Sequence, residues 1–138
     1  MKAHLKGCYF LAQHCIHELD TPLDFIVTTN SGAPLDCNLY QTVKGITGAA
    51  SVVKPNGDIL IASRCVEGVG SPEYKRILEM VDTPCSFLDR IMRGDFFIPD
   101  QWCAQETYQI LVEKNVWVYT EGISGEELER YHFRPIKT

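Results

Sequence analysis

No apolar run in the chain approaches the roughly 20 residues that a helix needs to cross a bilayer, so a membrane span is excluded. There is no block of like charge either, and the formal net charge is -5. That balance argues against a nucleic-acid-binding surface, which would be basic, but it leaves room for a local positive pocket. The N-terminus, Met1-Lys2-Ala3-His4-Leu5-Lys6, has no apolar signal core behind it, because Gln13, His14 and His17 interrupt the pattern. The expected location is cytoplasmic. None of the six cysteines (Cys8, Cys15, Cys37, Cys65, Cys85 and Cys103) forms a C-x-x-C pair, and their spacings match no zinc ribbon or finger. They read as reduced core or surface thiols rather than a disulfide set. Internal repeats, low-complexity tracts and long linkers are absent as well.

What remains is the composition of one ordinary globular domain: 138 residues, 45% apolar and 22% charged. Leu5, Tyr9, Ala12 and Ile16 at helical spacing predict a first helix over residues 3–19. A strand follows from Asp24 to Thr29, then a helix over 37–52 with Asp36 as its N-cap and Leu39, Val43 and Ile46 facing inward. Lys54-Pro55-Asn56-Gly57 has turn chemistry, since Pro presets one φ and Asn-Gly permits positive φ. The run Asp58 to Ser63 is short and almost wholly apolar, as in a parallel-sheet strand buried on both faces.

Ser71-Pro72 and Thr83-Pro84 are N-caps with Pro at the first helical position, and they start two further helices. Pro99-Asp100 opens a longer helix through about Lys114, and Val116 to Tyr119 is a strand. Ser124 with Glu127 forms a capping box for a last short helix, and residues 131–138 offer an edge strand. Alternating strands and helices imply right-handed crossovers and a mostly parallel sheet. The fold class is therefore α/β: a Rossmann-like three-layer domain with a small, mostly parallel sheet flanked by helices. Residues 1–138 read as a single domain, a half of something larger.

The first strand–loop–helix unit is where an α/β fold receives ligands. Gln41 and Lys44 lie three apart, on one helical face, and an amide beside an ammonium suits a carboxylate or hydroxyl. The bland alternative is the solvated face of an amphipathic helix. Gly68-Val69-Gly70 before a helix start invites a phosphate-loop reading, but Glu73 occupies the third glycine's place. An ordinary loop fits better. His14 and His17 lack a third ligand, so no metal site is assigned. Cys37 and Cys65 lie near strand ends without an activating neighbour, and Trp102 reads first as a packing residue.

Several blocks, taken in order, carry a family resemblance: Thr28-Thr29-Asn30-Ser31-Gly32, Pro34-Leu35-Asp36, Asn38-Leu39-Tyr40-Gln41 with Lys44-Gly45, Val53-Lys54-Pro55 with Gly57, Cys65 with Glu67-Gly68 and Gly70, and Ile98-Pro99-Asp100-Gln101-Trp102. From about Asp24 onward the chain resembles the C-terminal domain of the nickel-dependent lactate racemases. The resemblance implies a two-domain α/β enzyme that inverts the 2-carbon of small 2-hydroxy acids by a hydride shuttle. Its cofactor is a nickel-pincer nucleotide, with histidines as acid and base.

Carried over by position, Gln41 and Lys44 would bind substrate, and Tyr40 and Trp102 would line the site. The cofactor-anchoring lysine and the nickel and acid–base histidines of the family belong to its N-terminal domain and have no counterpart in this chain. Cys37 stands where the family often carries a polar residue such as Gln. No catalytic residue, no metal ligand and no bound cofactor is therefore expected in this chain alone. Its expected partners are the N-terminal domain of the same enzyme and a small 2-hydroxy acid. An exposed apolar docking face would also favour a homo-oligomer. The competing readings are a non-catalytic α/β interaction module and, more weakly, a nucleotide-binding domain using the Gly68–Gly70 loop.

Overall fold

The computed structural model describes residues 1–94 and 96–136. In chain order the elements are α1 (Lys2–Cys15), β1 (Leu23–Thr29), α2 (Leu39–Ala50), β2 (Val53–Ala62), α3 (Pro72–Met80), α4 (Pro84–Arg93), α5 (Gln101–Glu113), β3 (Asn115–Tyr119), α6 (Gly125–Arg130) and β4 (Arg134–Pro135). The α/β class, with a small parallel sheet flanked by helices, is as the sequence predicts. The four strands lie in the order β1-β2-β3-β4, each parallel to its neighbour. The expected edge strand is the two-residue β4, and Lys137 and Thr138 lie outside the described residues.

A sheet wound step by step in one direction returns every right-handed crossover over the same face. The burial pattern follows. Ile59 and Ile61 of β2 and Val116 and Val118 of β3 are fully buried beneath α2, α3 and α5. Their strand neighbours point the other way: Phe25 is 50% exposed and Val27 62%, while Leu60 and Trp117 beside them are half-buried. The third of the expected layers is therefore the thin one, because no strand-connecting helix covers that face. The strand Asp58–Ser63 accordingly alternates in burial instead of being buried on both faces. On the open face, Trp117 Nε1 donates to Asp58 Oδ1 at 2.7 Å and the Arg134 guanidinium stands 5.2 Å from the indole ring.

Three local readings are corrected. Helix α1 stops at Cys15 and buries none of its residues, because its apolar stripe meets no partner to extend it. Helix α2 starts at Leu39, and its N-cap is Asn38, whose side chain accepts from Gln41 N at 3.0 Å. Asp36 is buried instead, accepting from Arg64 N at 3.4 Å. Lys54 to Gly57 is a bulge inside β2 rather than a turn between elements. Pairing with β1 holds at Leu23↔Val53 and resumes at Phe25↔Asp58, with Asn56 at φ 62. Ser71, Thr83 and Ser124 cap α3, α4 and α6 as expected.

The helical layer is packed with protonated acids. Tyr74 is fully buried and shares a 2.8 Å hydrogen bond with Thr107 Oγ1. Burial pushes the Tyr74 and Tyr108 phenols well up, and burial followed by the Asp100 charge pushes the Cys103 thiol up to about 12. Groups whose folded pKa is raised stabilise fully below their ordinary values, 9.0 for the thiol and 10.0 for the phenols. That contribution fades as pH rises towards the folded values. Tm should therefore stay level up to about pH 9 and fall steadily from there towards pH 12. A Tm unchanged at pH 11 would contradict this account.

Candidate functional site

Helices α2 and α5 pack side by side over the sheet, and the groove between them holds a cleft of about 260 Å3. Tyr40, Val43 and Lys44 of α2 line it, facing Trp102, Cys103 and Glu106 of α5. The positions follow from the helix period. Leu39, Val43 and Ile46 hold α2 to the core, so Tyr40 and Lys44 emerge at its flank.

Of the residues singled out in the sequence, Tyr40, Lys44 and Trp102 thus meet at one place. Gln41 does not line the cleft, but its Oε1 accepts from Lys44 Nζ at 2.6 Å, which holds the ammonium at the rim. Trp102 is 51% exposed, so it is no core filler, and its ring meets Tyr40 edge-on at 5.8 Å. The Tyr40 hydroxyl donates to Asp100 Oδ1 at 3.4 Å, while Asp100 Oδ2 accepts from Ser71 at 2.6 Å. Burial, and then the Asp100 charge, raises the Tyr40 phenol. It therefore remains a hydrogen-bond donor at neutral pH.

Sequence reasoning missed Asp100, Glu106 and Thr47. Asp100 combines a helix-capping position with a left-handed backbone (φ 63), a combination that favours Asn, Asp or Gly. Glu106 and Thr47 had no signal, since their place in the cleft depends on how α2 and α5 pack. A second concavity of about 370 Å3 opens at the carboxyl ends of β1, β2 and β3, bounded by Thr29, Asp36, Ser63, Arg64 and Tyr119. It lies where α/β folds commonly take ligands, but holds none of the residues predicted to bind.

At the start of α3, which follows Gly68–Gly70, Pro72 has no N–H to offer, Ser71 takes the Tyr74 N–H, and Glu73 puts a negative charge in the first turn, so the segment is a poor phosphate cradle. Its carbonyls serve α2 instead: Gly68 O accepts from Leu39 N and Val69 O from Tyr40 N, both at 3.0 Å, while Asn38 takes the Gln41 N–H. Gly70 is required there, because a Cβ would come 2.5 Å from Asn38 Cγ. On α1, His14 Nδ1 donates to the Phe10 carbonyl at 2.7 Å.

Among the described residues no three His, Cys, Asp or Glu side chains cluster to hold a metal, and no helix is long and apolar enough to cross a membrane. Of the groups lining the cleft only the Cys103 thiol, kept protonated by burial, and the Glu106 carboxylate are metal-donor types, too few to hold the nickel that the resemblance assigns to the other domain.

Fold and cleft together define a small parallel α/β domain with a polar-rimmed groove between two helices on its covered face. The chain belongs to the lactate racemase C-terminal domain family, whose model matches residues 19–138. It is 36% identical to the lactate racemase of Thermoanaerobacterium thermosaccharolyticum, over 99% of this chain and 32% of the relative. The corresponding figures for the lactate racemase of Lactiplantibacillus plantarum are 34%, 99% and 32%. The structure of the Thermoanaerobacterium thermosaccharolyticum lactate racemase apoprotein superimposes with a TM-score of 0.87 at 35% identity, covering 99% of this chain and 33% of that one. The chain thus spans about a third of the length of the relatives it matches.

Proposed function

We propose that this chain is the C-terminal domain of a cytoplasmic racemase or epimerase of small 2-hydroxy acids, and forms the substrate-binding wall of its active site. The observation that carries the reading is the meeting of Tyr40, Lys44 and Trp102 at one cleft, with Gln41 bound to the lysine. A compact ammonium at the rim attracts the substrate carboxylate. Gln41 fixes the amine through its carbonyl oxygen from just outside the cleft. Tyr40 offers a protonated phenol, and the half-exposed Trp102 ring shields one side from water. The nickel-pincer nucleotide and the acid–base histidines, carried by the companion N-terminal domain, would supply the hydride chemistry of the proposed inversion at the 2-carbon.

The test is racemisation by the full-length protein loaded with its cofactor, supplied with each pure enantiomer of lactate and of longer 2-hydroxy acids and followed by chiral chromatography. The opposite enantiomer should accumulate. Trp102→Ala should raise KM by about tenfold with a smaller change in kcat, as expected for a shielding contact made in ground and transition states alike. A loaded, folded protein that inverts none of these acids would defeat the reading. A non-catalytic interaction module, using the open face around Phe25 and Val27, would then take its place.

A further inference from the structure

We propose that Asp100 is a positioning residue of the substrate wall: anchored by Ser71, its carboxylate sets where the Tyr40 hydroxyl sits at the cleft. The inference rests on the reading of this cleft as the place where substrate binds. Asp100 is the N-cap of α5, a place where an Asp side chain ordinarily accepts from the N–H groups of the first turn, yet it makes no such bond. Only its main-chain carbonyl serves the helix, accepting from Cys103 N at 3.0 Å. Its left-handed backbone (φ 63) would suit Gly or Asn as well. Neither the cap nor the backbone accounts for a carboxylate here.

That carboxylate accepts instead from two hydroxyls, one on α2 and one at the start of α3. Oδ2 accepts from Ser71 Oγ, the cap of α3, at 2.6 Å, and Oδ1 accepts from the Tyr40 hydroxyl at 3.4 Å. The short bond holds the carboxylate, since Ser71 Oγ is itself tied to α3 by accepting from Tyr74 N at 3.1 Å. The long bond steers the phenol without committing its proton, so a ligand can take up that proton at little cost. Among the described residues only Asp100 bonds the Tyr40 hydroxyl, and no cation lies within ion-pair distance of Asp100.

Tyr40 stands level with the start of α5. Its ring meets Trp102 edge-on at 5.8 Å, and Cys103 Sγ donates to its carbonyl at 3.8 Å. The ring also meets Tyr74 edge-on at 5.8 Å, and Tyr74 is fixed by its bond to Thr107. These contacts hold the ring, but only a polar tie at its tip gives the O–H a direction. Without the Asp100 carboxylate the phenol keeps its packing and loses that direction.

The experiment is a double-mutant cycle in the full-length, cofactor-loaded protein, read out as lactate racemisation. Asp100→Gly suits the left-handed backbone and removes the carboxylate, and it should lower kcat/KM by about tenfold. In a Tyr40→Phe background, itself reduced by about as much, the same change should cost less than about twofold, because the group that Asp100 directs is already gone. Asp100→Asn keeps one acceptor oxygen and should recover most of the loss, although glycine fits the backbone at least as well. A purely structural role predicts additive losses and no advantage of Asn over Gly. Equal losses in both backgrounds, no loss in either, or no recovery in Asp100→Asn would overturn the assignment; if Lys44→Ala still abolishes turnover, the substrate wall stands. If Lys44→Ala leaves turnover intact, or wild type does not invert lactate, the underlying reading fails and this one fails with it.

Discussion

Lys44→Ala in the full-length protein should lower kcat/KM for 2-hydroxy acids by about a hundredfold or more. Tm should move by no more than about a degree or two. The asymmetry follows from where the side chain sits. Lys44 is exposed on α2, and among the described residues its side chain bonds only to Gln41, three residues away on the same helix. Alanine is the best helix former, so the fold loses almost nothing. The proposed complex loses a charge-assisted contact to the substrate carboxylate at the edge of a cleft whose other charged lining residue is acidic. Lys44→Arg separates charge from geometry. It restores the positive field but offers a longer, planar fork, so recovery should be partial. Turnover within a few-fold of wild type in Lys44→Ala would remove the lysine from the site.

What the sequence made legible was whatever is decided within a few residues. Ser71-Pro72, Thr83-Pro84 and the Ser124–Glu127 box each start a helix where expected, because a cap is satisfied by the three residues that follow it. The α2 boundary was misplaced for the same reason. Asp36 and Asn38 are both competent caps, and the choice is made by β2, whose continuation at Arg64 claims the Asp36 carboxylate. The Asn56 region shows the limit from another side. Its positive φ was foreseen, but a turn and a bulge use the same local chemistry. Only the pairing of Leu23 with Val53 across the sheet separates them.

The site was less legible than the fold. A 3.6-residue period puts Lys44 on the flank of α2, but nothing in that period says that α5 lies alongside it. The family resemblance, not patterning, linked Trp102 to Lys44. Thr47 and Glu106 gave no local sign because each is an ordinary polar residue on an ordinary helix. The open sheet face was hidden for a related reason. The almost wholly apolar run Asp58–Ser63 reads as covered on both sides, whereas the one-directional strand order leaves one side bare.

Gly122→Ala should cost about 3 kcal/mol or more and lower Tm by roughly 10 °C, the largest stability effect expected for so small a change. A Cβ at Gly122 would lie 1.8 Å from the Cys65 carbonyl oxygen and 2.3 Å from its carbon. Backbone cannot yield there as a side chain can. Arg64 O accepts from Thr120 Oγ1 at 2.9 Å, Thr120 Oγ1 accepts from Gly122 N at 3.2 Å, and Cys65 O accepts from Gly68 N at 2.8 Å. Prising the two loops apart breaks these bonds and pulls on Gly68 and Val69, whose carbonyls cap α2 below Tyr40 and Lys44. Gly48→Ala is the counter-case. A Cβ there meets nothing within 4 Å, and the residue is inside α2, so Tm should rise slightly. The same added methyl thus acts with opposite sign at two glycines, since one needs contact distance and the other only loses helix propensity. Thermal melts of both variants beside wild type decide it. A Gly122→Ala protein as stable as Gly48→Ala would mean that the 64–65 and 120–123 loops do not pack as described.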